Sequence, residues 1–398
     1  KLLMERVLYE KELEIIKKSN RFRKRVVFKK DLFDLASNDY LGLAQNRKLF
    51  KKAFKRVYKN HYFSPKASML VNGYSKIHKK FEKLLCKANG FEKGVIVGSG
   101  FLANISMIES LVRKGDTLFI DEDYHASGIL ASKLLPKNQV VTFFHNDEKD
   151  LEDKLKDCAS KGRKIIAIEG VYSMSGNIAK KEIFDLSKKY NTLLIVDEAH
   201  SSGVIGENLL GIFDYYNIKI EKNHIKMGTL GKAYGSYGAY ILSSKSIIEF
   251  LQNRAKPIIY STAPSLFDTA LGYESLKYIL RNKEKLKQKI KDNLSIIQGY
   301  LGISSKSLII PILVNDNKKV LKIQKILKEN GFLVGAIRQP TVKNAIVRLI
   351  AKIDIKSDEF KLTDELYIKM NSRGRPLTDF ENFKAEFSEI LKDDENEY

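Results

Sequence analysis

An acidic motif at the end of an apolar segment is the first candidate for chemistry in this sequence. Asp197 ends the run LLIVD and is followed by Glu198 and, three residues after Asp197, by His200. One interpretation is the Mg²⁺-binding motif of an ATPase, which also requires a G-x-x-x-x-G-K-[ST] phosphate loop. The nearest segment, 228–233 (GTLGKA), has two residues between its glycines and Ala after its Lys, which excludes that interpretation. The remaining alternatives are a carboxylate that pairs with a buried cationic ring nitrogen and an ordinary solvated acidic turn.

Lys232 is the second candidate, in the segment 229–235 (TLGKAYG), 35 residues after Asp197. A lysine that is partly buried beside other positive charge has a lowered pKa and forms Schiff bases with carbonyl groups. Because the chain contains 56 lysines, a solvated loop residue is the ordinary alternative for any one of them.

Two further segments follow apolar runs. Residues 98–104 (GSGFLAN) open a helical pattern, where free backbone N–H groups and the helix dipole bind phosphate, although an ordinary tight turn has the same pattern. Residues 121–127 (DEDYHAS) place His125 after another apolar run, where a histidine is either structural or a partner in catalysis.

All these candidates stand at the ends of segments that we predict to be buried strands. The predicted strands cover residues 94–97, 117–120, 140–144, 164–169, 193–197, 224–228 and 238–242, with helical patterns between them. This alternation predicts a doubly wound α/β domain with a largely parallel sheet, whose function lies where the strands end.

The domain organisation follows from a change of pattern after this region. A long predicted helix over 265–301 leads into two more strands, 307–314 and 345–350, which indicate a smaller α+β domain. The first 25 residues predict a charged helix. We therefore expect an N-terminal helix and substrate-contacting segment in 1–45, a large domain in 46–265, and a small C-terminal domain in 266–398 with an atypical tail from about 352.

Composition restricts the class of protein. A chain of 398 residues that is 43% hydrophobic and 30% charged is typical of a folded globular protein. Two cysteines exclude a multi-disulfide scaffold and fit a reducing compartment, and we expect a cytoplasmic location with no membrane partner. The net charge of +22 comes mainly from scattered lysines, which favours a solvated basic surface over a nucleic-acid-binding module.

In this order, the phosphate-binding turn, the histidine, the strand-end aspartate and the lysine resemble the α-oxoamine synthase family of pyridoxal-phosphate (PLP) enzymes. Matching segments include 37–43 (SNDYLGL), 170–176 (GVYSMSG) and 337–342 (IRQPTV), and the resemblance runs from about residue 20 to about residue 350. It implies an α/β fold of the aspartate-aminotransferase type (PLP fold type I), with PLP as the cofactor and no metal.

The resemblance also implies roles for individual residues. Lys232 would bind PLP as a Schiff base and move protons at the substrate Cα, Asp197 would bind the pyridine nitrogen, and His200 the phenolic oxygen. His125 would stack on the ring and help position the substrates. The remaining cofactor-binding residues would be Ser99, Gly100, Phe101 and Thr229 at the phosphate, Ser173 near the ring, and Thr262 reaching the phosphate of a neighbouring subunit.

Sites of this family lie between subunits, so the resemblance implies a homodimer. The positions that match its substrate side are Arg21, Asn38, Thr341 and Arg348. The implied reaction is an acyl transfer of biotin biosynthesis, in which L-alanine and the acyl-CoA pimeloyl-CoA condense with decarboxylation to 8-amino-7-oxononanoate. Residues 37–40 and Arg21 favour this reaction, while glycine C-acetyltransferase or another family member remains an alternative.

The tail departs from this family. Residues 366–384 are similar to a segment of ParB-related restriction proteins, which suggests a replaced or fused terminus. An amphipathic closing helix with Phe380, Phe383 and Phe387 on one side is the alternative, and a nucleic-acid-binding protein is the rival function from a different class.

Overall fold

The structure, a computed structural model, describes residues 9–354, which divide into two compact units. The larger unit comprises Asn38–Ile310 with Ala351–Ile353, and the smaller comprises residues 9–37 with Pro311–Ile350 and Asp354. The start of the predicted N-terminal helix and the atypical tail from residue 355 lie outside the described residues.

The strands and helices are numbered here in chain order. The strands are β1 (Phe33–Asp34), β2 (Lys93–Val97), β3 (Thr117–Asp121), β4 (Val140–Phe143), β5 (Lys164–Glu169), β6 (Leu193–Asp197), β7 (His224–Thr229), β8 (Ala239–Ser243), β9 (Ile309–Leu313), β10 (Phe332–Leu333), β11 (Gly335–Ile337) and β12 (Ile346–Ile350). The helices are α1 (Glu10–Lys18), α2 (Arg47–Tyr58), α3 (Lys76–Asn89), α4 (Gly100–Leu111), α5 (Ala126–Ser132), α6 (Glu148–Asp157), α7 (Lys181–Lys189), α8 (Ile212–Tyr215), α9 (Lys245–Arg254), α10 (Lys256–Ile259), α11 (Leu266–Leu301) and α12 (Asn317–Glu329).

A seven-stranded sheet forms the centre of the larger unit. Its spatial order is β2-β8-β7-β6-β5-β3-β4, and β8 runs antiparallel to both its neighbours while the other adjacent pairs are parallel. The continuous apolar runs are explained by burial on both faces, because β3 (TLFID) is buried at all five positions. The predicted strands are confirmed, each with ends within two residues of those observed.

The parallel strands β3, β5, β6 and β7 end at the same edge of this sheet. Helix α4 follows β2 and packs on the sheet through its apolar face, where Ala103, Met107 and Leu111 join Ile195 and Ile225 in the core. The edge at which the parallel strands end is therefore where the polar side chains that follow them can meet.

Helix α11 belongs to the larger unit, so the boundary after it at Ile310 differs from the predicted boundary at residue 265. The reason is packing, since α11 runs against α2 and α3 and its residues Leu266 and Ala270 bury against Ala53, Val57 and Ile77. The change of sequence pattern marks the end of the alternating strands and helices, which lies well before the end of this unit.

The smaller unit combines the N-terminal segment with the late strands. Strand β1 pairs in parallel with β10, with Phe33 opposite Phe332, and a second sheet has the order β11-β12-β9. The expected separate segment 1–45 therefore differs from the structure, in which residues 9–37 and the later strands form one unit. Across the described residues, no helix combines the length and the apolar character that a membrane crossing requires.

Candidate active site

Strand ends bring three of the candidate residues to one edge of the central sheet. Asp197 is the last residue of β6, and the register places it opposite Glu169, the last residue of β5. Lys232 follows the end of β7 by three residues, and His125 follows the end of β3 by four. Because these strands are parallel neighbours, the sheet brings together residues that are far apart in the sequence.

Asp197 is a buried carboxylate held by neutral donors. Its side chain is 2% exposed. One oxygen, Oδ1, accepts a hydrogen bond from the backbone N–H of Ala199 at 2.9 Å, and Oδ2 accepts one from the Nδ2 amide of Asn104 at 2.8 Å. Within residues 9–354, no Lys, Arg or His nitrogen lies within 4.0 Å of this carboxylate. A buried carboxylate is expected to have a cationic partner, so Asp197 fits a positively charged group of a ligand.

Glu198, next in the sequence, is bound in a separate cluster. It is fully buried, and the Nζ of Lys226 lies 3.5 Å from its Oε1. Its Oε2 accepts hydrogen bonds from the backbone N–H of Ile212 at 2.7 Å and from the Ser201 hydroxyl. Lys226 also donates to the backbone carbonyl of Leu210. The Glu198 carboxylate therefore stabilises the fold, whereas the Asp197 carboxylate is available to a ligand at the candidate site.

Lys232 and His200 are in direct contact. The Nζ of Lys232 lies 2.6 Å from Nε2 of His200, whose Nδ1 lies 2.5 Å from the Tyr40 hydroxyl. The same hydroxyl donates to Oδ1 of Asn38 at 3.4 Å. An ammonium group can only donate, so with Lys232 protonated the His200 Nε2 accepts and its Nδ1–H donates to Tyr40. The sequence did not predict Tyr40, although it lies in the segment that carried the resemblance.

His125 immediately precedes α5, and its Nδ1 lies 2.7 Å from the hydroxyl of Ser127. Burial lowers the pKa of His125, the negative charge of Asp197 raises it, and the positive charge of Lys232 lowers it. The net direction is downward, which makes the ring neutral at physiological pH. A neutral imidazole next to the site is suited to stacking on an aromatic ligand.

The predicted phosphate-binding turn lies at the start of a helix, as its sequence pattern indicates. Ser99 is the N-cap of α4 and its Oγ accepts a hydrogen bond from the N–H of Leu102 at 3.2 Å. The amides of Gly100 and Phe101 stand in the first turn, where N–H groups have no partner inside the helix. A Cβ on Gly100 would lie 3.9 Å from Thr229, so the start of α4 meets the end of β7. These residues form one corner of the larger unit, where the amides at the start of a helix favour an anion.

Glu169 was not predicted and is buried beside Asp197. Its Oε2 accepts a hydrogen bond from the N–H of Ser173 at 3.1 Å, which places Ser173 at the same edge of the sheet. Within the part of the chain that the structure describes, Oε1 of Glu169 has no hydrogen-bond partner. Burial and the neighbouring charge of Asp197 raise the pKa of Glu169 well above its ordinary value.

Four predicted residues remain, Thr262 in the larger unit and three others in the smaller unit. Thr262 is exposed and forms a backbone bridge with Ser68. The predicted substrate-binding residues Arg21, Thr341 and Arg348 belong to the smaller unit and stay predictions. In that unit the guanidinium of Arg23, rather than that of Arg21, donates to the Thr341 hydroxyl at 3.0 Å, and Arg348 is buried in β12.

The residues of the larger unit fit PLP. Asp197 offers an uncompensated buried charge to a pyridinium nitrogen, and the first turn of α4 offers amides to a phosphate. Lys232 provides the amine for a Schiff base, with His200 beside it. The ring nitrogen, the phosphate and the aldehyde of the cofactor therefore each have a matching group in the chain.

Comparison with known proteins gives a consistent result. A family model described as aminotransferase class I and II matches residues 30–356. An 8-amino-7-oxononanoate synthase of Helicobacter pylori is 46% identical over 343 residues, covering 86% of this chain and 92% of the relative. A putative 8-amino-7-oxononanoate synthase of Aquifex aeolicus is 38% identical over 347 residues, covering 85% and 91%.

Two solved structures share the fold. A serine palmitoyltransferase from S. paucimobilis, solved with a bound PLP–myriocin aldimine, superposes with a TM-score of 0.80 at 22% identity, covering 89% of this chain and 94% of that one. An 8-amino-7-oxononanoate synthase from Francisella tularensis superposes with a TM-score of 0.70 at 26% identity, covering 86% and 98%.

Proposed function

The chain belongs to the class I and II aminotransferase family, and from this premise we propose that it condenses L-alanine with pimeloyl-CoA to 8-amino-7-oxononanoate, releasing CO₂ and coenzyme A. The predicted α-oxoamine synthase resemblance, PLP fold type I and PLP as cofactor are confirmed. The observation that carries the proposal is the buried Asp197 carboxylate, which no cation among the described residues neutralises, at the same sheet edge as Lys232.

PLP, when bound, supplies an electron sink for the negative charge that develops at the Cα of the amino acid. Asp197 holds the proton on the pyridine nitrogen, because a buried carboxylate with two fixed donors favours a cation at its remaining lone pairs. Asn104 and the N–H of Ala199 fix the direction in which the carboxylate points.

The amine of Lys232 would hold the cofactor and, with the amino acid bound, would carry the proton at the substrate Cα. His200 orients the lysine amine through the 2.6 Å contact, and Tyr40 in turn fixes the ring of His200. This partly buried chain of hydrogen bonds orients the amine.

His125, neutral because of its burial, would stack on the cofactor ring. Ser99, Gly100, Phe101 and Thr229 would bind the phosphate at the start of α4 and the end of β7. Together with Asp197 at the ring nitrogen, they would restrict the orientation of the cofactor.

The substrate side of the site is a proposal for four residues. Asn38 contacts Tyr40 next to His200, which supports a role close to the amino acid. Arg348 would supply a planar guanidinium for the substrate carboxylate, and Thr341 and Arg21 are proposed as further substrate-binding residues. We also propose that the enzyme is cytoplasmic.

The proposal includes a homodimer, supported by an exposed aromatic row on α2 and the loop after it. Phe54 and Tyr58 stack with ring centroids 6.0 Å apart, and Tyr58 stacks on Phe63 at 6.4 Å, yet all three rings are more than half exposed. Contiguous exposed aromatic rings are typical of an interface between proteins. Thr262 would then reach the phosphate in the other subunit.

The dimer is tested by light scattering after size-exclusion chromatography. We expect the double substitution Phe54→Ser and Tyr58→Ser to give a monomer. The control Phe144→Ser removes an exposed ring elsewhere in the larger unit and should keep the dimer. An unchanged dimer in the double variant would move the interface to another surface.

The reaction is tested by measuring kcat/KM for the four combinations of L-alanine or glycine with pimeloyl-CoA or acetyl-CoA. We expect L-alanine with pimeloyl-CoA to be preferred, because a site that pairs a substrate carboxylate discriminates strongly against its absence. A preference for glycine with acetyl-CoA would instead indicate a glycine C-acetyltransferase with the same cofactor chemistry. Borohydride reduction followed by peptide mapping should label Lys232 in the wild type and in the control Lys219→Ala.

A further inference from the structure

Asn104 is a buried polar residue on the apolar helix α4, and its side chain is 1% exposed. Its Nδ2 donates to Oδ2 of Asp197 at 2.8 Å and to the hydroxyl of Ser127 at 2.9 Å. Its Oδ1 accepts from the Tyr124 hydroxyl at 2.8 Å. Both amide hydrogens and the carbonyl oxygen are therefore used, which fixes the carboxamide in one orientation.

The direction of each hydrogen bond follows from groups that can act in only one way. The backbone N–H of Ser127 donates to Nδ1 of His125 at 3.2 Å, so Nδ1 carries the lone pair and the proton of the neutral ring is on Nε2. The Ser127 hydroxyl, 2.7 Å from the same Nδ1, donates to it and accepts from Asn104. Asp197 as a carboxylate can only accept, which again places Nδ2 of Asn104 toward it.

One side chain therefore connects two groups that face the cofactor ring from different elements. Asp197 ends β6, while His125 precedes α5, and Asn104 touches the first directly and the second through Ser127. Asn104 also lies one helical turn after Gly100, in the phosphate-binding turn of the same helix. The phosphate corner and the carboxylate are thus set at a fixed spacing by α4.

We propose that Asn104 is a positioning residue that holds the Asp197 carboxylate against the ring nitrogen of PLP and, through Ser127, holds His125 in its Nε2-protonated form. The inference rests on the proposed function through the pairing of Asp197 with the ring nitrogen. If the role of Asn104 were purely structural, replacing it would destabilise the fold without changing the preference of the site for a ring nitrogen facing Asp197.

The test compares the binding of two ligands to the cofactor-free full chain. These are PLP and 1-deazapyridoxal 5′-phosphate, in which a C–H replaces the ring nitrogen while the aldehyde and the phosphate are kept. The ratio of their dissociation constants, measured by equilibrium dialysis, isolates the contact at the ring nitrogen, because Lys232 and the phosphate corner contribute to both. We expect the wild type to prefer PLP and Asn104→Ala to reduce that preference about tenfold or more, the effect of one hydrogen bond to a charged group.

Ser127→Ala is the matched control, since it removes a partner of the same carboxamide but leaves the bond to Asp197. It should keep the wild-type preference. Asn104→Leu fills the volume of the amide and is expected to reduce the preference as Asn104→Ala does, which covers the case in which the smaller side chain prevents folding. Folding of each cofactor-free variant is measured by circular dichroism.

Two results would overturn the inference, and they are distinguishable. If the wild type prefers PLP and folded Asn104 variants retain the full preference, Asn104 does not position Asp197, and the proposed function stands. If the wild type shows no preference between the two ligands, Asp197 does not pair with the ring nitrogen, and both the inference and the proposed function fail at that contact.

Discussion

Replacing Asp197 with Asn should lower the stabilisation that PLP gives to the fold while changing the cofactor-free protein little. The carboxylate accepts from the Ala199 N–H through Oδ1 and from Asn104 through Oδ2. An amide has one oxygen, so one of these donors would face an NH₂ group and lose its bond. The lost hydrogen bond lowers the free energy of unfolding by about 1.5–3 kcal/mol. In the cofactor-free chain, removing an uncompensated buried charge raises it by a similar amount, so the net change is small.

In the loaded protein the offset disappears, because the pyridinium neutralises Asp197 in the wild type and has no anionic partner in the variant. A PLP dissociation constant weakened by about ten- to a hundredfold lowers the stabilisation at a fixed PLP concentration by about 1.4–2.8 kcal/mol. The assay is urea unfolding followed by far-ultraviolet circular dichroism, with and without PLP.

Asp116→Asn is the control for this experiment. Asp116 is also buried, but it is bound by the guanidinium of Arg163 away from the sheet edge that carries Asp197. Its substitution should lower the free energy of unfolding by the same amount with and without PLP. Equal stabilisation of the wild type and Asp197→Asn by PLP would refute the assignment of Asp197 to the ring nitrogen.

Three further predictions address other parts of the larger unit. Lys232→Ala should lower kcat, measured by release of coenzyme A, by about 10³-fold or more, while circular dichroism shows an unchanged fold. Turnover near the wild-type rate would contradict the catalytic role assigned to Lys232. Glu198→Gln should lower the free energy of unfolding by about 3–5 kcal/mol, because it leaves Lys226 charged and buried. Adding Lys226→Met should restore most of the lost stability. Additive losses for the two substitutions, measured by urea unfolding, would contradict this expectation. Burial raises the pKa of Glu82 from 4.5 to about 7. Between these pH values the folded chain binds a proton that the unfolded chain releases, so the free energy of unfolding falls as pH rises. Glu82→Gln should remove this pH dependence in urea titrations at several pH values, and an unchanged dependence would assign it to another group.

The sequence predicted the strands and the strand-end residues because burial on both faces leaves a continuous apolar run, which ends where the chain meets the site. Asp197, Lys232 and His125 were recognisable for this reason. The end of the larger unit differs from the predicted boundary because α11 has ordinary helical periodicity, and nothing local in it shows that it packs against α2 and α3.

The residues that hold the candidate site in place were not predicted. Asn104, Ser127 and Glu169 act through partners that are distant in the chain, such as Asp197 for Asn104, and their bonds exist only once the sheet has formed. A signal was present for Asn104, since a carboxamide in the middle of the apolar helix FLANISMIESL requires buried partners. The sequence alone does not identify those partners.

The consecutive carboxylates at the end of β6 make the length of that strand critical. Asp197 serves the candidate site, and Glu198 is bound to Lys226 and the backbone of Ile212. Because each residue of a paired strand occupies one register position, removing one residue from β6 would move Glu198 into the position of Asp197 and Ala199 into that of Glu198. The shorter chain would offer a glutamate to the ring nitrogen and leave the buried Lys226 without its carboxylate. Insertions and deletions in this lineage are therefore expected to accumulate in the loops on either side of β6, while the count of residues within the strand stays constant.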